Sequence, residues 1–176
     1  MNLDTWIIKR VDSARGNSVL DRLMYSASIF GDDGRGWIAA SAIVCSRKKD
    51  PTRAFLRHLA WLGIESALVN GPAKAAVRRS RPIPQQSHPH RLRRPSDSSF
   101  PSGHAASAAT MAMLLSEEGL APLWWTIALT VTASRVYVGV HYPTDVIGGL
   151  VAGSAIGFAA RHIRLPLVEP SMESQP

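Results

Sequence analysis

Apolar residues recur at helical spacing along most of the chain. Leu20, Leu23, Met24, Ala27 and Phe30 share one face of a helix that Asn17 or Ser18 can cap and that Gly31-Asp32-Asp33-Gly34 ends. Asp21 and Arg22 make this segment amphipathic, which predicts a helix lying at an interface. A second helix is expected over roughly 36–45, closed by a basic loop over 46–51. A third, over about 52–73, delivers Lys74 at its end. Residues 80–99 are proline-rich, basic and without periodicity, so they predict a long loop, whose expected use is a lid or a substrate-facing segment. The fourth helix starts at Pro101 and runs to about Ser116, with Ala105, Ala106, Ser107, Ala108 and Ala109 allowing close packing. Pro122 opens a fifth that carries Arg135 near its far end, and Pro143 opens a sixth that runs to about Ala160.

This pattern predicts an all-α fold, a membrane-embedded bundle of about five to six helices. A single domain is expected over 1–164, with 1–16 as an N-terminal segment and 165–176 as a disordered tail. Hydropathy alone does not decide for a membrane. The longest apolar stretches, 120–134 and 146–160, hold about fifteen residues, short of the roughly eighteen that are decisive. The sixth helix carries better evidence, because Gly149, Gly153 and Gly157 recur every fourth residue. Such a seam of small residues suits helices meeting in lipid, whereas each glycine costs an exposed soluble helix about 1 kcal/mol. Trp124-Trp125 near a helix start also suits a membrane boundary. Met1 to Arg15 is too polar for a secretory signal, so insertion must use internal segments.

Charge and cysteine usage narrow the classes further. The net charge is +7 with 45% hydrophobic residues and one cysteine, so the chain has no internal disulfide framework. A pI near 10.3 would suit a nucleic-acid binder. However, the arginines cluster at loop ends rather than along one helix face, and no zinc-finger spacing occurs, so no nucleic acid is expected as partner. Basic residues balance between the two ends of the bundle, and the positive-inside rule gives no orientation.

Three short blocks carry the candidate chemistry: Lys74 followed seven residues later by Arg81-Pro82; Pro101-Ser102-Gly103-His104; and Arg135 followed by His141 and Asp145. Arg81 and Arg135 offer planar forks of donors to phosphate oxygens, and Lys74 adds a point charge. Ser102 and Gly103 at a helix start would aim backbone N–H groups at an anion, with the Ser102 hydroxyl donating one more bond. Asp145, four residues after His141, can accept the Nδ1–H of that histidine and fix its tautomer. His141 is then the candidate nucleophile, and His104 the candidate general acid and later base. Each piece also has an ordinary explanation, such as a charged helix end or a structural histidine. Carboxylates near the blocks are few in the sequence.

The blocks, in this order, resemble the pattern of the type 2 phosphatidic acid phosphatase (PAP2) superfamily, and every fixed position of it is filled. The resemblance spans about 70–150 by motif. It implies a PAP2-like bundle, a phosphohistidine intermediate on His141, His104 as acid, and no metal ion or other cofactor. It implies a lipid phosphate as substrate, with the compact chain similar to small bacterial members acting on polyprenyl-linked phosphates. Decaprenylphosphoryl-5-phosphoribose is the favoured head group; undecaprenyl diphosphate, phosphatidylglycerophosphate and phosphatidic acid are alternatives. Two rival readings rank lower. One is a vanadium haloperoxidase, whose known members are longer and soluble, and the other is a non-catalytic basic membrane protein. Oligomeric state and protein partners are not read from the residues.

Overall fold

The computed structural model of the chain describes residues 3–83 and 96–166. Most of the expected lid and of the C-terminal tail lie outside the described residues. All regular structure among the described residues is helical. The helices are α1 (Leu3–Ala14), α2 (Ser18–Gly31), α3 (Arg35–Cys45), α4 (Pro51–Leu68), the short α5 (Lys74–Val77), α6 (Gly103–Ser116), α7 (Ala121–Tyr137) and α8 (Pro143–His162).

Local chemistry explains the boundaries. The Asn17 side chain accepts from the N–H groups of Val19 and Leu20 and starts α2, and Asp50 does the same for Arg53 at α4. Proline stands in the first turn of α4, α7 and α8, where its missing N–H costs nothing. The expected third helix breaks near its end. Pro72 removes a backbone donor, the turn widens to a π-helix over Val69–Ala73, and α5 resumes at Lys74. The N-terminal segment is itself helical, which its polar composition did not predict. It forms α1, with Trp6 and Leu3 exposed.

α6 is the central element, with nearly every residue from Ala105 to Leu115 buried. α8 lies against it along the glycine seam. A Cβ on Gly149 would stand 2.4 Å from the Ser102 carbonyl oxygen, and one on Gly153 would stand 2.1 Å from that of Ala106. Thr110 Oγ1 donates to the Gly153 carbonyl at 2.9 Å across the same contact. At Gly149 and Gly153 the seam expected from the sequence is therefore a contact with backbone atoms, while Gly157 lies against the Met113 side chain. Trp37, Trp61, Met111, Leu114 and Val131 fill the rest of the core.

The two ends of the bundle differ. One is closed by ion pairs, Lys48 with Glu118 and Arg57 and Arg161 with Glu117. At the other, α1 packs against α7 and α8, and α2 packs against α7. Asp4 of α1 touches the start of α8 through Thr144, while the Ala14 carbonyl accepts from Tyr137 Oη at the end of α7. Asp21 and Ser28, two turns apart on α2, reach Tyr137 and Arg135 of the same α7 end. α8 is long and apolar enough to cross a membrane.

Candidate active site

The three blocks meet at the end roofed by α1 and α2. Lys74, Arg81, Gly103, His104, Arg135 and His141 line one cavity of about 380 Å³. A hollow of about 700 Å³ adjoins it and shares Asn70, Lys74 and Arg81. Both imidazoles face the smaller cavity, so the chemistry belongs there.

His141 sits in the turn between α7 and α8 and is 3% exposed. Its Nδ1 is 2.7 Å from the Ser99 carbonyl oxygen. A carbonyl can only accept, so Nδ1 carries the proton and Nε2 keeps a free lone pair. Nε2 faces the Arg81 guanidinium, with Nη1 at 3.2 Å. Burial first, and the nearby Arg81 and Arg135, push the imidazole down to about 4 against the opposing pull of Asp145. His141 is thus neutral at pH 7, with an unprotonated nitrogen turned to the Arg81 guanidinium.

Asp145 does a different job from the one expected. Its Oδ2 is 3.7 Å from His141 Nδ1, and the Ser99 carbonyl makes the shorter contact. Oδ2 accepts instead from the Tyr142 N–H at 2.8 Å, closing the first turn of α8, and Oδ1 accepts from Arg79 Nη1 at 2.6 Å. Asp145 is fully buried and does not line the cavity. It builds the turn that carries His141 and adds negative potential behind the ring.

Ser102 also departs from its expected role. It is fully buried, its hydroxyl caps α6 by accepting from the Ala105 N–H, and its own N–H donates to the Asp145 carbonyl at 3.0 Å. That leaves the N–H groups of Gly103 and His104, in the first turn of α6, as the backbone donors for an anion. Asn70 packs closely over Gly103, where a Cβ would stand 2.7 Å from Asn70 Oδ1 and displace that side chain.

Several participants escaped the motif reading. His104 Nε2 lies 2.8 Å from Asp32 Oδ1, and Arg135 Nη1 is 3.9 Å from the same oxygen. The hydrogen bond from His104, outweighing burial, holds the Asp32 carboxyl below the usual carboxylate range. Arg135 is 4% exposed and donates to the Ser28 hydroxyl, while its Nε is buried without a partner among the described residues. Asp97 bridges two of the cations, accepting from Lys74 Nζ at 2.5 Å and Arg81 Nη2 at 2.7 Å. Burial would raise the Asp97 carboxyl, but the bonds from Lys74 and Arg81 prevail and hold it low. Arg79 ties Asp145, Thr144 and Asp4 together and lies 4.2 Å over the Tyr142 ring. The expectation of few carboxylates near the blocks therefore fails, since folding brings Asp32, Glu65 and Asp97 to the cavity's edge. A cue did exist for Asp32, as a turn of two glycines needs no pair of acids merely to end a helix.

The geometry defines a cationic cup with an imidazole on two sides, and comparison with known proteins gives the class. The PAP2 superfamily pattern matches residues 55–168, and the chain belongs to this family. It is a hydrolase of phosphate esters. It is 36% identical to a decaprenylphosphoryl-5-phosphoribose phosphatase of Mycolicibacterium smegmatis over 128 residues, 69% of this chain and 67% of the relative. An undecaprenyl-diphosphatase of Sulfolobus acidocaldarius is 45% identical over 75 residues, 40% of this chain and 35% of the relative. The crystal structure of Aquifex aeolicus LpxE superposes with a TM-score of 0.76 at 24% identity, covering 93% of this chain and 97% of that one.

Proposed function

We propose that the chain is a multi-pass membrane phosphatase that removes the terminal phosphate from a polyprenyl-linked phospholipid, decaprenylphosphoryl-5-phosphoribose being the favoured example. The observation that carries this reading is the single cavity shared by Lys74, Arg81, Arg135, His104 and His141. The relative that matches over two thirds of its own length bears that activity in its name. Outward-facing Ile147, Val151 and Phe158, each at least half exposed on α8, suit a lipid surround better than water. α3, α4, α6, α7 and α8 would cross the bilayer, with α1 and α2 at its surface.

In the proposed reaction the terminal phosphate sits among Lys74, Arg81, Arg135 and the N–H groups of Gly103 and His104. These donors oppose the charge that builds on its equatorial oxygens. His141 Nε2 attacks phosphorus, the bond to the head-group oxygen breaks, and His104 protonates that oxygen as it leaves. Asp32 stabilises His104 in its charged form beforehand. His104, now neutral, takes a proton from water, whose oxygen displaces His141 from phosphorus. Inorganic phosphate leaves and both histidines return to their starting states.

The test uses detergent-purified protein with EDTA present and a panel of decaprenylphosphoryl-5-phosphoribose, undecaprenyl diphosphate, phosphatidylglycerophosphate and phosphatidic acid. Phosphate release should persist in EDTA, favour the first lipid, and fall by about 10³-fold or more in His141→Ala, which lacks the nucleophile. Labelled phosphate should be trapped on the wild-type protein as an acid-labile adduct and be missing from His141→Ala. Preference for undecaprenyl diphosphate would favour the activity named for the Sulfolobus relative. Equal rates on water-soluble esters would overturn the lipid assignment.

A further inference from the structure

One carboxyl in the cavity has no part in the chemistry above. Glu65 of α4 is 1% exposed, and its Oε1 is buried without a hydrogen-bond partner among the described residues. It lines the catalytic cavity together with Ser66, Asn70, Lys74 and His104. A buried acceptor left without a donor is costly, and folded proteins carry few of them. The cost is larger for a carboxyl on a helix that crosses lipid, where such groups serve a site. An apolar residue at this position would relieve both penalties without disturbing the pairs that hold the fold.

The neighbours of Glu65 share its chemistry. Asn70 Nδ2 donates to Ser66 Oγ at 3.1 Å, leaving the Ser66 hydroxyl hydrogen available, and Asn70 Oδ1 is turned toward Gly103. The end of α4 and the π-helical turn after it thus form a wall of oxygen atoms. The facing wall is cationic, with Lys74, Arg81 and Arg135. A phosphate is drawn to the second wall, and alone it would leave Glu65 Oε1 on the first without a partner. A group that satisfies both is a polyol bearing a phosphate, with hydroxyls that donate to Glu65 while the phosphate rests among the cations.

We propose that Glu65, with Ser66 and Asn70, is a hydroxyl-recognition subsite that selects a sugar-phosphate head group over a bare lipid phosphate. This rests on the reading that the cations of the same cavity hold the scissile phosphate. A site built to bond substrate hydroxyls discriminates strongly against analogues that lack them, because its own polar groups then stay unpaired.

The experiment compares the full-length wild type with Glu65→Leu and Glu65→Gln on two lipids, decaprenylphosphoryl-5-phosphoribose and phosphatidic acid, whose phosphate has no neighbouring hydroxyl. Glu65→Leu should lower kcat/KM on the sugar-phosphate lipid by about tenfold or more, mainly through KM, and leave phosphatidic acid within about twofold. Glu65→Gln keeps an acceptor oxygen and should recover most of the loss. Calorimetric titration with ribose 5-phosphate and with inorganic phosphate gives a readout free of turnover. Wild type should bind the sugar phosphate about tenfold tighter than phosphate, and Glu65→Leu should bind the two alike. An equal loss on both lipids, or an unchanged ratio of the two affinities, would overturn the subsite. If wild type hydrolyses neither lipid, the functional reading fails, and the titration still decides the subsite. Should Glu65→Leu not yield folded protein, Ser66→Ala and Asn70→Ala carry the same comparison.

Discussion

At the scale of single residues, the two histidines have different partners. Burial and two guanidinium groups keep His141 neutral, with its value pushed to about 4, while His104 Nε2 stands 2.8 Å from Asp32 Oδ1. Between the ordinary histidine value near 6.5 and about 4, the unfolded chain binds a proton at His141 that the native chain refuses. Stability therefore falls as pH drops through that window and is fully present above it. Thermal unfolding in detergent should show a larger loss from pH 7 to pH 5 for wild type than for His141→Gln. Removal of the Asp32 charge acts on the other histidine. Asp32→Asn should reduce kcat/KM by about 10²-fold, within the range of general acid catalysis, and move the alkaline limb of the pH profile downward. A full pH–rate profile of the variant checks both effects together.

Among the elements, α8 shows how a sequence pattern becomes a constraint. Its glycines are costly for an isolated helix, and the close approach to α6 returns that cost as packing. Gly153→Ala should prevent stable folding, because the new methyl would overlap the Ala106 carbonyl. Gly63 of α4 is the matched control, since a Cβ there meets nothing within 4 Å. Gly63→Ala should raise stability by up to about 1 kcal/mol through helix propensity alone. Melting temperatures of the two variants in one detergent separate these opposite signs. The π-helical turn before Lys74 belongs to the same scale, since Pro72 breaks the backbone ladder just where the phosphate-binding segment leaves the bundle.

For the molecule as a whole, the candidate site is confined to one end, and the N-terminal helix is bound into it. Asp4 accepts from the Thr144 N–H at 3.0 Å and from Arg79 Nη2 at 2.7 Å, and Arg79 holds Asp145 behind His141. The N-terminal helix is thereby coupled to the turn that carries His141. Asp4→Ala and Arg79→Ala should each lower kcat by about tenfold, and the double variant should lose little more than either alone, the mark of residues acting as one unit. Additive losses in that double-mutant cycle would show two separate roles.

Residue order alone was enough for six of the helices (α2, α3, α4, α6, α7 and α8), the small-residue seam and the six residues lining the cup, because periodicity, proline placement and motif spacing are local properties of the chain. α1 was not legible, since its partners Thr144, Arg79 and Tyr137 are remote in sequence and its own pattern is too polar to announce burial. The partners of the histidines were misread for a related cause. Spacing made Asp145 the natural companion of His141, yet a four-residue separation says nothing about which acceptor folding brings closer, and the Ser99 carbonyl arrives first. Asp32, Asp97 and Glu65 looked like a helix end, a loop residue and a helical polar position. They became parts of the site only when helices far apart in the chain converged and shared one cavity, because electrostatic and hydrogen-bond partnerships depend on distance in space.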